Sequence, residues 1–124
     1  MTEQKPFHNE CHMNSRCNQY DRCPMVTVHQ IISGKWKLLI LWYLNGKTLR
    51  FGDLQRKLPD ATQKMLTKQL RSLEQDQLII RTVYATVPPK VEYRLSDIGQ
   101  DLIPLLESMH TFGAKHYTQY DENL

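Results

Sequence analysis

The sharpest separation of apolar from polar positions lies between residues 62 and 76. Leu66, Leu70 and Leu73 recur at i, i+4 and i+7, the spacing that places side chains on one face of a helix. Thr62 precedes the pattern, and its hydroxyl can cap the first free N–H groups, so we predict a helix over about 62–76. The other side carries polar and basic side chains, which are Gln63, Lys64, Thr67, Lys68 and Arg71. The apolar stripe is expected to pack on a core, which leaves the polar stripe for a partner.

Three shorter helical patterns precede this one. The first begins at Pro24, which suits the first helical position because it has no N–H to leave unpaired. The second covers residues 35–44, is apolar on most sides and ends at Asn45-Gly46. The third is a brief helix that starts at Phe51 and is closed by Pro59. This third helix and the helix over 62–76 form a candidate helix-turn-helix.

Two strands joined by a basic loop follow the helix pair. Residues 78–84 are rich in Leu, Ile, Thr, Val and Tyr, and residues 91–95 alternate between apolar and charged side chains. The loop contains Pro88, Pro89 and Lys90, and the two prolines keep it extended and unable to pair. We expect a hairpin whose tip projects as a stiff wing. The whole order predicts an α+β fold, mainly α, of the winged helix-turn-helix type.

The last predicted helix, which Ser96 is expected to cap, carries a heptad-like seam of apolar side chains. The seam residues are Ile98, Leu102, Leu105, Met109 and Phe112. With Ile103 and Leu106 beside them, they exceed what the core of a small domain is expected to cover, which favours a partner helix and a homodimer. Packing wholly on the chain's own core is the alternative. Pro104 is expected to kink the helix.

Composition and charge narrow the class of protein. A chain of 124 residues with 40% hydrophobic and 23% charged side chains fits one globular domain. It has no apolar run near the roughly 20 residues of a membrane span and no secretory leader, so we expect a cytoplasmic protein without a membrane. Residues 35–94 hold 12 Lys and Arg against 5 Asp and Glu, whereas the flanks hold 4 against 8. This basic middle favours binding to the DNA backbone, and a solvated basic surface is the alternative.

The basic and polar side chains suggest which residues contact double-stranded DNA. The second helix of a helix-turn-helix enters the major groove, with residues near its N-terminus nearest the base edges. Gln63, Lys64, Thr67 and Lys68 have the hydrogen-bonding groups to read bases there, and Arg71 follows on the same face. Lys90 is the candidate for a minor groove or a phosphate, and the candidates for backbone contacts are Lys35, Lys37, Arg50 and Arg81. A winged-helix module that binds protein instead is the alternative.

Several separate blocks of the sequence resemble the HxlR-type winged helix-turn-helix regulators, which are MarR-like. The blocks are GKWKLLIL at 34–41, RFGDL at 50–54, TQKMLT at 62–67, LRSLEQD at 70–76 and VPPKVEY at 87–93. The resemblance implies a homodimeric bacterial transcription factor with N- and C-terminal dimerisation helices, which adds Ile31 to the expected dimer interface. Gln77 departs from the family, which usually has Gly after Glu-x-Asp, and this puts the geometry of that turn in question.

Three cysteines offer candidate chemistry. Cys23 stands at the start of the first predicted helix beside Arg22, and both features favour the reactive thiolate. In the resembled family a Cys at this place often acts as a thiol switch for oxidants or electrophiles, which makes Cys23 the candidate redox sensor. An inert, half-buried thiol is the alternative.

The remaining cysteines lie in residues 1–22, which we predict to be a mobile arm. His8, Cys11, His12 and Cys17 could serve a metal-responsive regulator, but the arm lacks the short Cys pairs of structural zinc sites, so we expect no metal or cofactor. The predicted DNA-binding domain with its dimerisation helices covers residues 23–117, and 118–124 form a tail. We expect no enzyme, because the sequence has no Gly-rich phosphate loop and no nucleophile with an assignable base.

Overall fold

The computed structural model describes residues 23–118, and the predictions for His8, Cys11, His12, Cys17 and the arm lie outside this range. The elements, in chain order, are α1 (Pro24–Ile32), α2 (Lys37–Tyr43), β1 (Leu49–Arg50), α3 (Phe51–Lys57), α4 (Gln63–Gln75), β2 (Ile79–Tyr84), β3 (Lys90–Leu95) and α5 (Asp97–His116). This order confirms the predicted winged helix-turn-helix, an α+β fold that is mainly α. The described residues belong to two units, divided after Ser33.

The first unit contributes α1 to the described range. Pro24 occupies the first helical position, as the sequence predicted, and Cys23 is the N-cap residue with extended backbone dihedrals. The Cys23 carbonyl accepts the Thr27 N–H at 3.0 Å, which closes the first turn. The predicted domain boundary after residue 22 stays a prediction.

The core of the second unit forms around the apolar stripe of α4. Leu66, Leu70 and Leu73 are all buried, which confirms the amphipathic pattern. They share the interior with Leu54 of α3 and with α2, whose Ile40 is fully buried. Complete burial of a Leu or Ile side chain contributes about 1.5–3 kcal/mol. The stripe therefore fixes which side of α4 faces outward.

The three strands form an antiparallel sheet in the order β1-β3-β2. Tyr93 of β3 lies opposite Arg81 of β2 and opposite Leu49 of β1, so these three side chains occupy one row on one face. Because successive strand residues point to opposite faces, Arg94 lies on the other face. Tyr93 is buried and Arg94 is exposed, so the row containing Tyr93 belongs to the packed face.

The turn after α4 has a left-handed residue at the position where the resembled family usually has Gly. Gln77 has φ of 65°, and its N–H donates to the Glu74 carbonyl at 3.0 Å. The Leu78 N–H donates to the Leu73 carbonyl, also at 3.0 Å, which completes a Schellman cap. The chain thus keeps the turn that Gly favours and pays a conformational cost for a side chain there.

The last helix, α5, starts close to that same turn. The Ser96 hydroxyl accepts the Gly99 N–H at 3.0 Å, as predicted, and also donates to the Gln77 carbonyl at 2.6 Å. Gly99 has no room for a side chain, because a Cβ there would overlap the Leu78 carbonyl oxygen. The helix runs unbroken through the exposed Pro104. The end of α4 and the beginning of α5 are therefore joined directly.

Candidate nucleic-acid interface

Local hydrogen bonds fix the turn between α3 and α4. The side-chain amide of Gln55 donates to the Ala61 carbonyl at 2.5 Å, which ties α3 to the residue before the next cap. The Thr62 hydroxyl then accepts the Met65 N–H at 3.1 Å, and this confirms the predicted cap of α4. These bonds set where the exposed face of α4 begins.

A second set of polar contacts holds the start of α3. The Arg50 N–H donates to one oxygen of Asp53 at 3.0 Å, and the Arg56 guanidinium bonds the other oxygen at 2.5 Å. The Arg50 N–H is the main cause, and Arg56 a lesser one, of a lowered pKa for the Asp53 carboxyl. Arg50 itself is exposed and directly precedes α3 as its N-cap residue.

The outward face of α4 brings together the side chains that the sequence singled out. Gln63, Lys64, Lys68 and Arg71 are exposed and Thr67 is half-buried. They line one shallow concave surface with Thr62, Ser72 and Gln75, which we call the recognition surface. Its groups include amide, hydroxyl, ammonium and guanidinium donors, which suit base edges and phosphates. No carboxylate lines it among the residues that the structure describes.

The hairpin places a cation at the base of an exposed tip. Val87 is 99% exposed, and the Thr86 hydroxyl donates to the Pro88 carbonyl at 2.8 Å within the tip. The Lys90 ammonium lies 3.4 Å from a Glu92 oxygen and 4.7 Å from the centre of the Tyr84 ring. A partly exposed ion pair of this kind contributes about 1 kcal/mol, so a phosphate can replace Glu92 as the partner of Lys90.

The two lysines near the start of α2 differ in how exposed they are. Lys35 is exposed, and its ammonium lies 5.2 Å from the centre of the Trp36 ring. Lys37 is only 6% exposed, and its stem packs where a Cβ on Gly34 would stand. Lys37 is thus a packing residue in this structure, so we leave it out of the proposed phosphate contacts. The spacing of residues in the sequence does not predict the burial of Lys37, because this burial depends on Gly34 and α4.

The predicted seam of α5 lies on its outer side. Ile98, Leu105, Met109 and Phe112 are between 45% and 57% exposed, and Leu102 is half-buried. The core contacts come instead from Gly99, Ile103 and Leu106, which are buried. The helix therefore has two apolar sides, one packed and one open, and the open side is the seam. Ile31, the other predicted interface residue, lies near the end of α1.

Several other site predictions have a definite place. Cys23 is half-buried directly before α1. Arg81 is exposed on β2 opposite Tyr93. The sequence did not mark Tyr93 as a site residue, because a single hydroxyl produces no pattern along the chain. Within residues 23–118 no cluster of His, Cys, Asp and Glu is arranged to hold a metal ion. None of the helices in that range has the length and apolar character to cross a bilayer.

Comparison with known proteins points to one family. The sequence model of the HxlR-like helix-turn-helix family matches residues 31–121. The HTH-type transcriptional regulator YdeP of Bacillus subtilis is 42% identical over 105 residues, which cover 85% of this chain and 82% of YdeP. The crystal structure of the regulator YtcD superposes with a TM-score of 0.73 at 46% identity, over 75% of this chain and 95% of that one. The redox regulator HypR in its oxidised form gives a TM-score of 0.74 at 40% identity, over 77% of this chain and 99% of HypR.

Proposed function

Since this chain belongs to the HxlR-like helix-turn-helix family of transcriptional regulators, we propose that it binds DNA sequence-specifically through α4. The observation that carries the proposal is the recognition surface. Its polar and basic side chains stand on the outward face of a helix whose other face is fixed by three buried leucines. In a helix-turn-helix this face lies in the major groove.

The side chains on the recognition surface divide by chemistry. Gln63 can donate to and accept from an adenine edge, and the Thr67 methyl can contact thymine. Lys64 and Lys68 can donate to guanine or to phosphates. Arg50, Lys35 and Lys90 are exposed or half-exposed outside this face and are proposed as contacts to the backbone or the minor groove. Sequence preference therefore comes from the N-terminal half of α4.

We propose that two copies of the chain pair through the seam on α5. An exposed row of large apolar side chains, Ile98, Leu105, Met109 and Phe112, beside a fully formed core is what a second copy would cover. Paired copies present two recognition surfaces related by a two-fold axis. The matching operator is an inverted repeat whose half-sites lie about 34 Å, or one duplex turn, apart.

A salt titration on a selected operator tests the DNA-binding proposal. The operator is first selected from random duplexes, and mobility shifts are then measured over a range of salt concentrations. Lys64→Ala should weaken binding about tenfold and reduce the slope of log K against log salt by about 0.9, because one cation fewer displaces counterions. Lys115→Ala, at the far end of α5, is the control and should leave both unchanged. Unchanged affinity and slope in Lys64→Ala would refute this docking, and weak, salt-insensitive binding by the wild type would favour a protein-interaction module.

We further propose that oxidation or alkylation of Cys23 regulates DNA binding. Its position before α1 and the similarity to the redox regulator HypR support this. In the disulfide route, the Cys23 thiols of two protomers give up two electrons and two protons to an oxidant such as diamide, which becomes the hydrazine. In the other route, the thiolate adds to an electrophile such as a quinone.

Paired oxidation experiments test the role of Cys23. Wild type and Cys23→Ser are treated with diamide, and operator affinity and covalent dimer are measured before and after reduction. We expect a reversible change in affinity in the wild type and none in the variant. Equal responses in both proteins would remove Cys23 from the mechanism.

A further inference from the structure

A second, smaller polar cavity lies between α4 and the sheet. It has a volume of about 260 Å³, and its lining residues are Thr67, Arg71, Glu74, Arg81 and Tyr93. We call it the junction pocket. It is distinct from the recognition surface, but Thr67 and Arg71 line both. The junction pocket therefore adjoins the recognition surface at Thr67 and Arg71.

The fold explains why these side chains converge. Thr67, Arg71 and Glu74 are spaced i, i+4 and i+7, so they form one stripe along α4. Arg81 and Tyr93 are directly paired across β2 and β3 and point to the same face of the sheet. The stripe and the pair belong to elements fixed by the core, so the pocket is held by regular structure on both sides.

The charges of the junction pocket favour an anion. It contains two guanidinium groups against one carboxylate, and neither Arg71 nor Arg81 makes an ion pair among residues 23–118. The Thr67 and Tyr93 hydroxyls add donors that can turn toward an oxygen. Planar guanidinium groups bind phosphate oxygens in pairs, which makes phosphate the anion that suits this set of donors.

We propose that the junction pocket binds one phosphodiester group of the DNA backbone, a contact that rests on the DNA-binding function proposed above. Glu74 favours a phosphodiester over the dianion of free phosphate. With Glu74 ionised the lining carries one net positive charge, which a phosphodiester monoanion neutralises. A phosphate dianion would leave an excess negative charge beside the carboxylate. Arg71 and Arg81 bind the phosphate oxygens, and the Tyr93 hydroxyl orients them.

This contact is independent of sequence, which separates it from base reading. Arg81→Gln should weaken binding to the selected operator and to a random duplex by the same factor, about tenfold, and lower the salt slope by about 0.9. Arg94→Gln is the matched control, because it removes the same charge from the neighbouring strand on the opposite face of the sheet. It should leave affinity and slope close to those of the wild type. Thermal melting of each variant checks that it is folded.

Two milder variants test the roles of the other side chains. Tyr93→Phe keeps the buried ring and removes the hydroxyl, so we expect about threefold weaker binding to both duplexes with an unchanged slope. Glu74→Gln removes the repelling carboxylate and should strengthen binding to both duplexes about threefold. Equal affinities for wild type, Tyr93→Phe and Glu74→Gln would contradict these roles.

The outcomes separate failure of the pocket from failure of the proposed function. If the wild type shows no salt-dependent DNA binding, the proposed function fails. If it binds DNA but Arg81→Gln and Arg94→Gln behave alike, only the junction pocket is overturned. Inorganic phosphate, followed by phosphorus NMR line width, is the remaining probe. One result would assign the pocket to a free anion and overturn the proposal. In it, the wild type broadens the phosphate line, and Arg81→Gln abolishes this broadening but binds DNA as tightly as the wild type.

Discussion

The helices α4 and α5 begin in the same way and differ on their outer sides. Each is capped by a hydroxyl that accepts the N–H three residues later, at 3.1 Å from Thr62 and at 3.0 Å from Ser96. Each buries one apolar stripe in the core of the second unit. On the outside, α4 presents amide, hydroxyl and cationic groups, whereas α5 presents large apolar side chains such as Leu105 and Phe112.

This difference indicates which class of partner each helix can bind. The inner stripes and the caps orient the helices, and they would do so equally well for either partner. The outer side of each helix determines which partner it can bind. A polyanion binds to exposed cations, whereas a second apolar surface binds to exposed apolar side chains that lose their contact with water. The Ser96 hydroxyl donates to the Gln77 carbonyl at 2.6 Å, so the surfaces proposed for the two partners lie on elements that touch.

The largest effect is expected from a charge in the seam. Leu105→Glu places a carboxylate in the proposed interface, where an unpaired buried charge costs several kcal/mol, so the dimer dissociation constant should rise by at least about a hundredfold. Analytical ultracentrifugation measures this. The control is Thr111→Glu, an exposed position of α5 away from the seam and the core stripe, which should leave the dimer intact. A monomeric wild type, or equal constants for both variants, would contradict the role given to the seam.

Next in size is the contrast between two glycines of α5. Gly99→Ala forces a Cβ against the Leu78 carbonyl oxygen and should lower the free energy of unfolding by about 2 kcal/mol. Gly113→Ala meets no heavy atom within 4 Å and should raise it by about 0.5–1 kcal/mol, since Ala is the better helix former. Urea unfolding of the two variants measures both changes in the free energy of unfolding, which should have opposite signs. Similar changes in the two would mean that the junction between α4 and α5 is looser than described.

The smallest effect is expected at the end of α4. Gln77→Gly removes a side chain from a residue with φ of 65° and should raise the free energy of unfolding by about 1 kcal/mol. Gln100→Gly, in the first turns of α5, makes the same chemical change at a helical position and should lower it by about 1 kcal/mol. A destabilised Gln77→Gly would show that the Gln77 side chain makes a stabilising contact that outweighs the strain.

Local patterns in the sequence were enough to predict α4 and α5 but not the details of their surroundings. The leucine stripe and the caps at Thr62 and Ser96 depend on neighbours within one or two helical turns, so spacing and residue type reveal them. The burial of Lys37 and the junction pocket depend on elements far apart in sequence, and no local pattern records them. The left-handed Gln77 was visible only as a departure from the resembled family.

A hydroxyl-radical footprint on the selected operator tests both outer sides at once. If α4 enters the major groove and α5 pairs two copies, the wild type should protect two equivalent patches related by a two-fold axis and about 34 Å apart. Leu105→Glu, at concentrations where it is monomeric, should protect the two half-sites weakly and independently of each other, and Lys64→Ala should weaken both patches. A single unsymmetrical patch with the wild type, or protection that ignores both substitutions, would contradict the roles assigned to the two helices.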